Sequence, residues 1–104
     1  FRHAALQLIH AGRKSTTEGL RHLAPSAVAY NNHPVDYEEM GQEDIDRVVD
    51  GFRQAARRAD KAGFLGLEIH GAHGYLIHQF LSPLSNRRQD AYGQDRALFL
   101  KQVV

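Results

Sequence analysis

Cysteine is absent from this chain of 104 residues. That excludes disulfides, a thiolate nucleophile and any zinc site built on cysteine. It also fits a reducing compartment, and the expected location is the cytoplasm. An excess of either charge is missing too: 13 basic residues stand against 12 acidic ones, a formal net charge of +1. That balance gives no electrostatic reason to expect nucleic acid or an anionic membrane as partner. No apolar run approaches the roughly 20 residues of a membrane span, and the opening "FRHAALQLIHAGRKS" shows no cleavage site after its short apolar run. The chain starts on Phe1 rather than Met and stops on "FLKQVV", which reads as the middle of a helix. The expectation is an internal piece of a longer protein. Internal repeats and low-complexity segments are absent.

What is present is an alternation. Ala4 to Ile9, "AALQLI", reads as a buried strand closed by the Gly12 turn signal. Residues 10–41, which hold Pro25 and Pro34, read as a long irregular excursion. From Glu43 onward, Ile45, Val48, Val49, Phe52, Ala55, Ala56 and Ala59 fall at helical spacing and form one apolar stripe. Gly63 is a good stop for that helix. Its start is poorly signalled, because Gly41 sits where Ser, Thr or Asp would cap better. "FLGLEI", residues 64–69, reads as a second buried strand, followed by a loop and a second helix beginning near Asp95 or Arg96. The order strand, loop, helix, strand, loop, helix predicts parallel strands with right-handed crossovers. Two strands cannot make a sheet covered on both faces, so the chain reads as part of an α/β domain.

The chemistry concentrates just past the second strand, in "HGAHGY". In a parallel α/β domain, ligands bind where strands end and loops begin. His70 is the first residue past the strand, with His73 and Tyr75 close behind. If the segment turns, two imidazole N–H groups can converge on one oxygen, polarise a carbonyl and stabilise negative charge on it. Tyr75 is a candidate neutral proton donor. Gly71 and Gly74 leave room for a flat ligand. The plainer reading of hydrogen-bonded structural histidines stays open; a metal site is not expected, because there is no Cys, no His-Glu-x-x-His and only His78 as a further ligand nearby. His3, His22 and His33 are isolated and carry no assignment; His10 is less neutral because it follows the first strand. "GRKST", residues 12–16, lacks the upstream glycine of a phosphate loop and is discounted. "SNRRQD", residues 85–90, reads as an ion-paired loop that packs the chain back onto the domain.

Taken together, "LQLIHAGRKS" and "AARRADKAGFLGLEIHGAHGYLIHQFLSPLSNRRQDAYG" resemble the Old Yellow Enzyme family, FMN-dependent ene reductases and NADH:flavin oxidoreductases built on a TIM barrel. The resemblance runs from Leu6 to Val104. It implies that residues 1–104 are a fragment of one FMN-binding TIM-barrel domain, from strand 3 near Ala4–Ile9 through helix 3 and strand 4 near Leu65–Ile69 to the start of helix 4. A whole barrel takes about 250 residues. By the same resemblance Gln7 hydrogen-bonds the flavin ring, His70 and His73 bind the substrate's carbonyl or nitro oxygen, and Tyr75 protonates the substrate carbon. The His/His form is the one common in bacterial members. The implied activity uses NAD(P)H to reduce FMN, and the reduced flavin then reduces the activated C=C bond of a small α,β-unsaturated carbonyl compound. A homo-oligomer is left open, and the isolated fragment is expected to be inactive. The alternatives are a dienoyl-CoA reductase or amine dehydrogenase relative on the same barrel, and a non-catalytic truncated paralogue that merely folds or binds a partner. One departure supports the last: the family reads Y-G-G-S-x-E-N-R before helix 4, where this chain has "YGQDR", residues 92–96, about three residues shorter.

Overall fold

In the computed structural model, residues 3–30 and 35–104 are described; His33 and Pro34 lie outside them. The first strand, β1 (Ala5–Leu8), is followed by a single 3-10 turn over Gly12–Lys14. Then come β2 (Leu23–Ala24), β3 (Glu38–Glu39), the long helix α1 (Gln42–Ala62) and β4 (Gly66–Ile69). Three short helices close the chain: α2 (Leu76–Leu81), α3 (Ala91–Gln94) and α4 (Leu98–Val103). β1 pairs parallel with β4, with Gln7 opposite Glu68 and Leu8 opposite Ile69. β1, α1 and β4 thus form the βαβ unit that the alternation predicts.

α1 begins despite its glycine cap because the cap is supplied from inside the helix. The Asp44 carboxylate accepts the Gly41 N–H at 3.0 Å, the returning half of a capping box. Arg21 at 3.0 Å and Arg47 at 3.5 Å hold that carboxylate in place. The bond from the Gly41 N–H, joined by Arg21, keeps the Asp44 carboxyl below the usual carboxylate range. At the other end Gly63 takes φ 88°, and the Phe64 N–H reaches back to the Ala59 carbonyl at 3.1 Å, a glycine-terminated Schellman closure.

The apolar stripe of α1 meets more than the two strands. Ile45 and Phe52 share one core with Met40, Leu76, Ile77, Phe80, Tyr92 and Phe99, and Leu8 and Ile69 pack against it. Phe80 stacks on Phe99 with centroids 4.3 Å apart, and Tyr92 meets Phe80 edge-on at 6.0 Å. The helices therefore cover one face of the strand pair. Side chains alternate along a strand, so Ala5, Gln7, Gly66 and Glu68 line the opposite face.

Three expectations need correction. The excursion over residues 10–41 is not irregular throughout: it contains the 3-10 turn and β2, which pairs in parallel with β3 at Leu23–Glu38 and Ala24–Glu39. Residues 70–94 are not one loop, because α2 and α3 lie within them; six and four residues are too few for a helical period to show. The final helix starts at Leu98, not at Asp95 or Arg96. Asp95 stands ahead of it, its carboxylate accepting the Ala97 N–H at 3.1 Å and its carbonyl the Leu98 N–H at 3.0 Å.

The "SNRRQD" segment packs back as expected. Arg88 donates to the carbonyls of Pro25 at 2.8 Å and Met40 at 2.6 Å, and pairs with Asp90 at 2.6 Å. The Arg88 bond leads the interactions that hold the Asp90 carboxyl low. Buried Asn86 donates to the carbonyls of Phe80 and Tyr92, both at 2.8 Å, and staples α2 to α3. The Gly93 backbone lies so close to Arg88 that a Cβ there would fall 1.8 Å from its carbonyl oxygen.

Candidate active site

The β1–β4 ladder runs one residue beyond β4: the His70 N–H donates to the Leu8 carbonyl at 2.9 Å. His70 therefore continues the alternation and belongs to the face of Gln7 and Glu68, away from the helices. The chain then turns sharply. His73 has φ 55° and Gly74 φ 75°, so two consecutive residues lie in the left-handed region. The Tyr75 N–H closes the turn on the Ala72 carbonyl at 3.2 Å, and the Leu76 N–H reaches the His10 carbonyl at 2.9 Å. α2 is thereby tied to the end of β1.

This turn brings the three predicted residues together. The His70 ring stands edge-on to His73 and to Tyr75, with centroids 5.1 Å apart in each case. His70 Nδ1 accepts the Ala72 N–H at 3.2 Å. An imidazole nitrogen that accepts carries no proton, so the neutral ring holds its proton on Nε2 and has one donor there. His78 does not join the pair: its Nδ1 accepts the Gly74 N–H at 2.9 Å. Gln7 donates to Glu68 Oε1 at 2.6 Å. His10 is structural here. Its Nδ1 accepts the Gly12 N–H at 3.0 Å, and burial pushes its pKa down, which keeps it neutral.

Gln79 was not anticipated. It is buried on α2, and its carboxamide joins the two loops that flank the site. Oε1 accepts the Arg13 N–H at 3.2 Å, while Nε2 donates to the carbonyls of Gly74 at 2.8 Å and Ala11 at 3.2 Å. Gly12, at φ 59°, makes room for it: a Cβ there would fall 2.4 Å from Oε1. One signal was available in "LIHQFL", an uncharged polar residue set between Ile77 and Phe80 on an apolar face. A polar group so placed needs buried partners.

A parallel strand pair, covered by helices on one face and carrying His, His and Tyr past its C-terminal edge, is a βα segment of the kind that builds parallel α/β enzymes, with its candidate site at the strand ends. The chain belongs to the NADH:flavin oxidoreductase / NADH oxidase family, whose model matches residues 2–104. This is the Old Yellow Enzyme family of FMN-dependent oxidoreductases that draw electrons from NAD(P)H. The chain is 53% identical over 102 residues to an NADPH dehydrogenase of Geobacillus thermodenitrificans (strain NG80-2) and 50% identical over 102 residues to one of Bacillus subtilis (strain 168). Each match takes in 95% of this chain and 30% of the relative. A solved structure of morphinone reductase in complex with tetrahydroNAD superposes with a TM-score of 0.88 at 35% identity, over 97% of this chain and 34% of that one. Morphinone reductase is a TIM-barrel enzyme, and the chain spans about a third of its length.

Proposed function

We propose that this chain supplies barrel strand 3, helix 3, strand 4 and the start of helix 4 of a single FMN-binding TIM-barrel domain. The whole protein would be a cytoplasmic NAD(P)H-dependent reductase of activated C=C bonds in small α,β-unsaturated carbonyl compounds. The observation that carries this reading is the His70 ring, edge-on to both His73 and Tyr75, with Nδ1 engaged by the Ala72 N–H and Nε2 left to carry the proton.

The residues fit a flavin. Gln7 is exposed on the open face of the strand pair, and a carboxamide offers the donor and the acceptor that a flavin's pyrimidine edge calls for. Ala5 and Gly66 share that face, and nothing lies within 4 Å of where a Gly66 Cβ would stand, so there is open space over the strand there. Gln7 would hold the ring edge. Bound FMN supplies the hydride chemistry.

The protein's part is positioning and polarisation. His70, through Nε2–H, and His73 would donate to the substrate's carbonyl oxygen. Both bonds strengthen as the β-carbon gains a hydride and the oxygen becomes an enolate oxygen. The Tyr75 hydroxyl would give its proton to the α-carbon, which completes the saturated product and leaves a phenolate that solvent reprotonates. Removing one oxyanion donor costs about 10²–10³ in rate.

The short "YGQDR" loop, which supported a non-catalytic paralogue, closes without loose ends. The Gly93 and Gln94 N–H groups both bond the Asp90 carbonyl at 3.0 Å, and the Asp95 N–H bonds the Ala91 carbonyl at 2.9 Å. The test is stopped-flow kinetics of the full-length flavoprotein with 2-cyclohexenone, comparing the parent with His70→Ala and His73→Ala. Slowed enone reduction in both variants supports the reading. Unchanged turnover in both would remove the oxyanion role.

A further inference from the structure

We propose that Lys14 is a positioning residue that holds His73 in its left-handed conformation and so aims the second imidazole; the proposal rests on His73 as an oxygen-binding group. Lys14 Nζ donates to the His73 carbonyl at 2.7 Å. His73 is the one non-glycine residue with positive φ among the described residues. A side chain disfavours that conformation, so the surroundings must hold it. The Lys14 bond is placed to do this, because it grips the carbonyl of the residue under strain.

The rest of the neighbourhood is arranged around the same ammonium group. A Cβ on Gly74 would stand 3.0 Å from Nζ and 3.1 Å from Cε, so glycine leaves the space that Lys14 fills. Nζ also lies 5.2 Å from the centroid of the Tyr75 ring, within cation–π range. No carboxylate among the described residues pairs with Lys14, so its charge has no competing partner there. Lys14 is itself held. Its N–H bonds the Ala11 carbonyl at 3.2 Å, and the turn that carries it docks on the Gln79 carboxamide through Arg13. The "GRK" turn thus has a task unlike phosphate binding: it braces one active-site loop with a residue from the other. An exposed ammonium–carbonyl bond often contributes little to stability, but here it acts on the conformation of a binding residue.

The experiment is a double-mutant cycle in the full-length flavoprotein, using Lys14→Met, His73→Ala and the pair. The readout is the dissociation constant of 4-hydroxybenzaldehyde, a phenol whose oxygen stands in for the enolate oxygen, followed by the change in flavin absorbance. Lys14→Met should weaken the phenol about tenfold, with FMN affinity unchanged, and Lys14→Arg should restore most of it. In the His73→Ala background, Lys14→Met should then change the constant less than twofold, because the group it positions is gone. Equal losses in both backgrounds would overturn the positioning role and leave His73 as a ligand-binding residue. No effect of His73→Ala alone would overturn both. If Lys14→Met is insoluble, Lys14→Gln carries the same cycle.

Discussion

His70 Nδ1 accepts the main-chain N–H of Ala72 at 3.2 Å, and this contact decides which substitutions can stand in for the imidazole. Glutamine places its amide nitrogen near the position of Nε2, whereas asparagine places its own near Nδ1. His70→Gln should therefore keep part of the enone reductase activity, while His70→Asn, like His70→Ala, should lose about 10²–10³. Steady-state kcat/KM for one enone across the three variants checks this. Equal losses would mean that the Nε2–H is not the working group.

Tyr75→Phe should leave phenol binding and reduction of the flavin by NAD(P)H unchanged while slowing enone turnover by about 10²–10⁴. Its hydroxyl is asked for only when a carbon takes a proton. Reoxidation by molecular oxygen requires no such delivery, so oxidase activity should survive. Stopped-flow measurement of the two half-reactions separates these outcomes.

His10 should make stability depend on pH. Its ordinary value is 6.5 and burial lowers it in the fold, so the unfolded chain takes up the proton first as the pH falls. Stability is complete above about pH 6.5 and declines from there down through the lowered folded value. His10→Asn keeps an acceptor for the Gly12 N–H but cannot titrate. Melting temperatures at pH 7.5 and 5.5 should differ less in that variant than in the parent.

Gln79→Leu is close in size, yet it strips partners from the Arg13 N–H and from the Ala11 and Gly74 carbonyls. Each group left unpaired in a buried place costs about 1–3 kcal/mol. The variant should unfold at lower denaturant and lose enone turnover beyond what its stability explains, because both site loops slacken. Urea unfolding and kinetics at a temperature where the variant is folded would check this.

The 104 residues alone should be inactive. Gln7 offers one edge of a flavin site, and large apolar side chains such as Leu65, 74% exposed, and Leu67, 40% exposed, remain open to water. Titration of the expressed chain with FMN should show no micromolar binding.

The parts that were legible in the sequence share a physical origin. α1 and the strand pair announce themselves through periodicity, since each buries one face along its length. The His70, His73 and Tyr75 grouping was visible because reactive side chains in a short stretch cannot be far apart. What stayed hidden depends on partners distant in sequence. The Asp44 carboxylate that caps α1 is held by Arg21, 23 positions away. Gln79 joins residues 66 and 68 positions away from it. α2 is stable at six residues because Leu76, Ile77 and Phe80 are buried, which no local propensity records. Lys14 sits in a turn that looked like a failed phosphate loop, and its meaning lies 59 residues away, at His73.

The left-handed backbone at residue 73 also restricts what can ever stand there. Isoleucine, valine and threonine are excluded by their branched Cβ, and most bulky side chains are strongly disfavoured. Asparagine, aspartate and histidine tolerate the conformation best, glycine aside. Only histidine and asparagine among them present an N–H to an oxygen without a repelling charge. A library randomised at this codon should thus return a two-letter alphabet of active clones. Altering substrate choice by mutation would have to begin at other positions, where the main chain leaves the side chain free to vary.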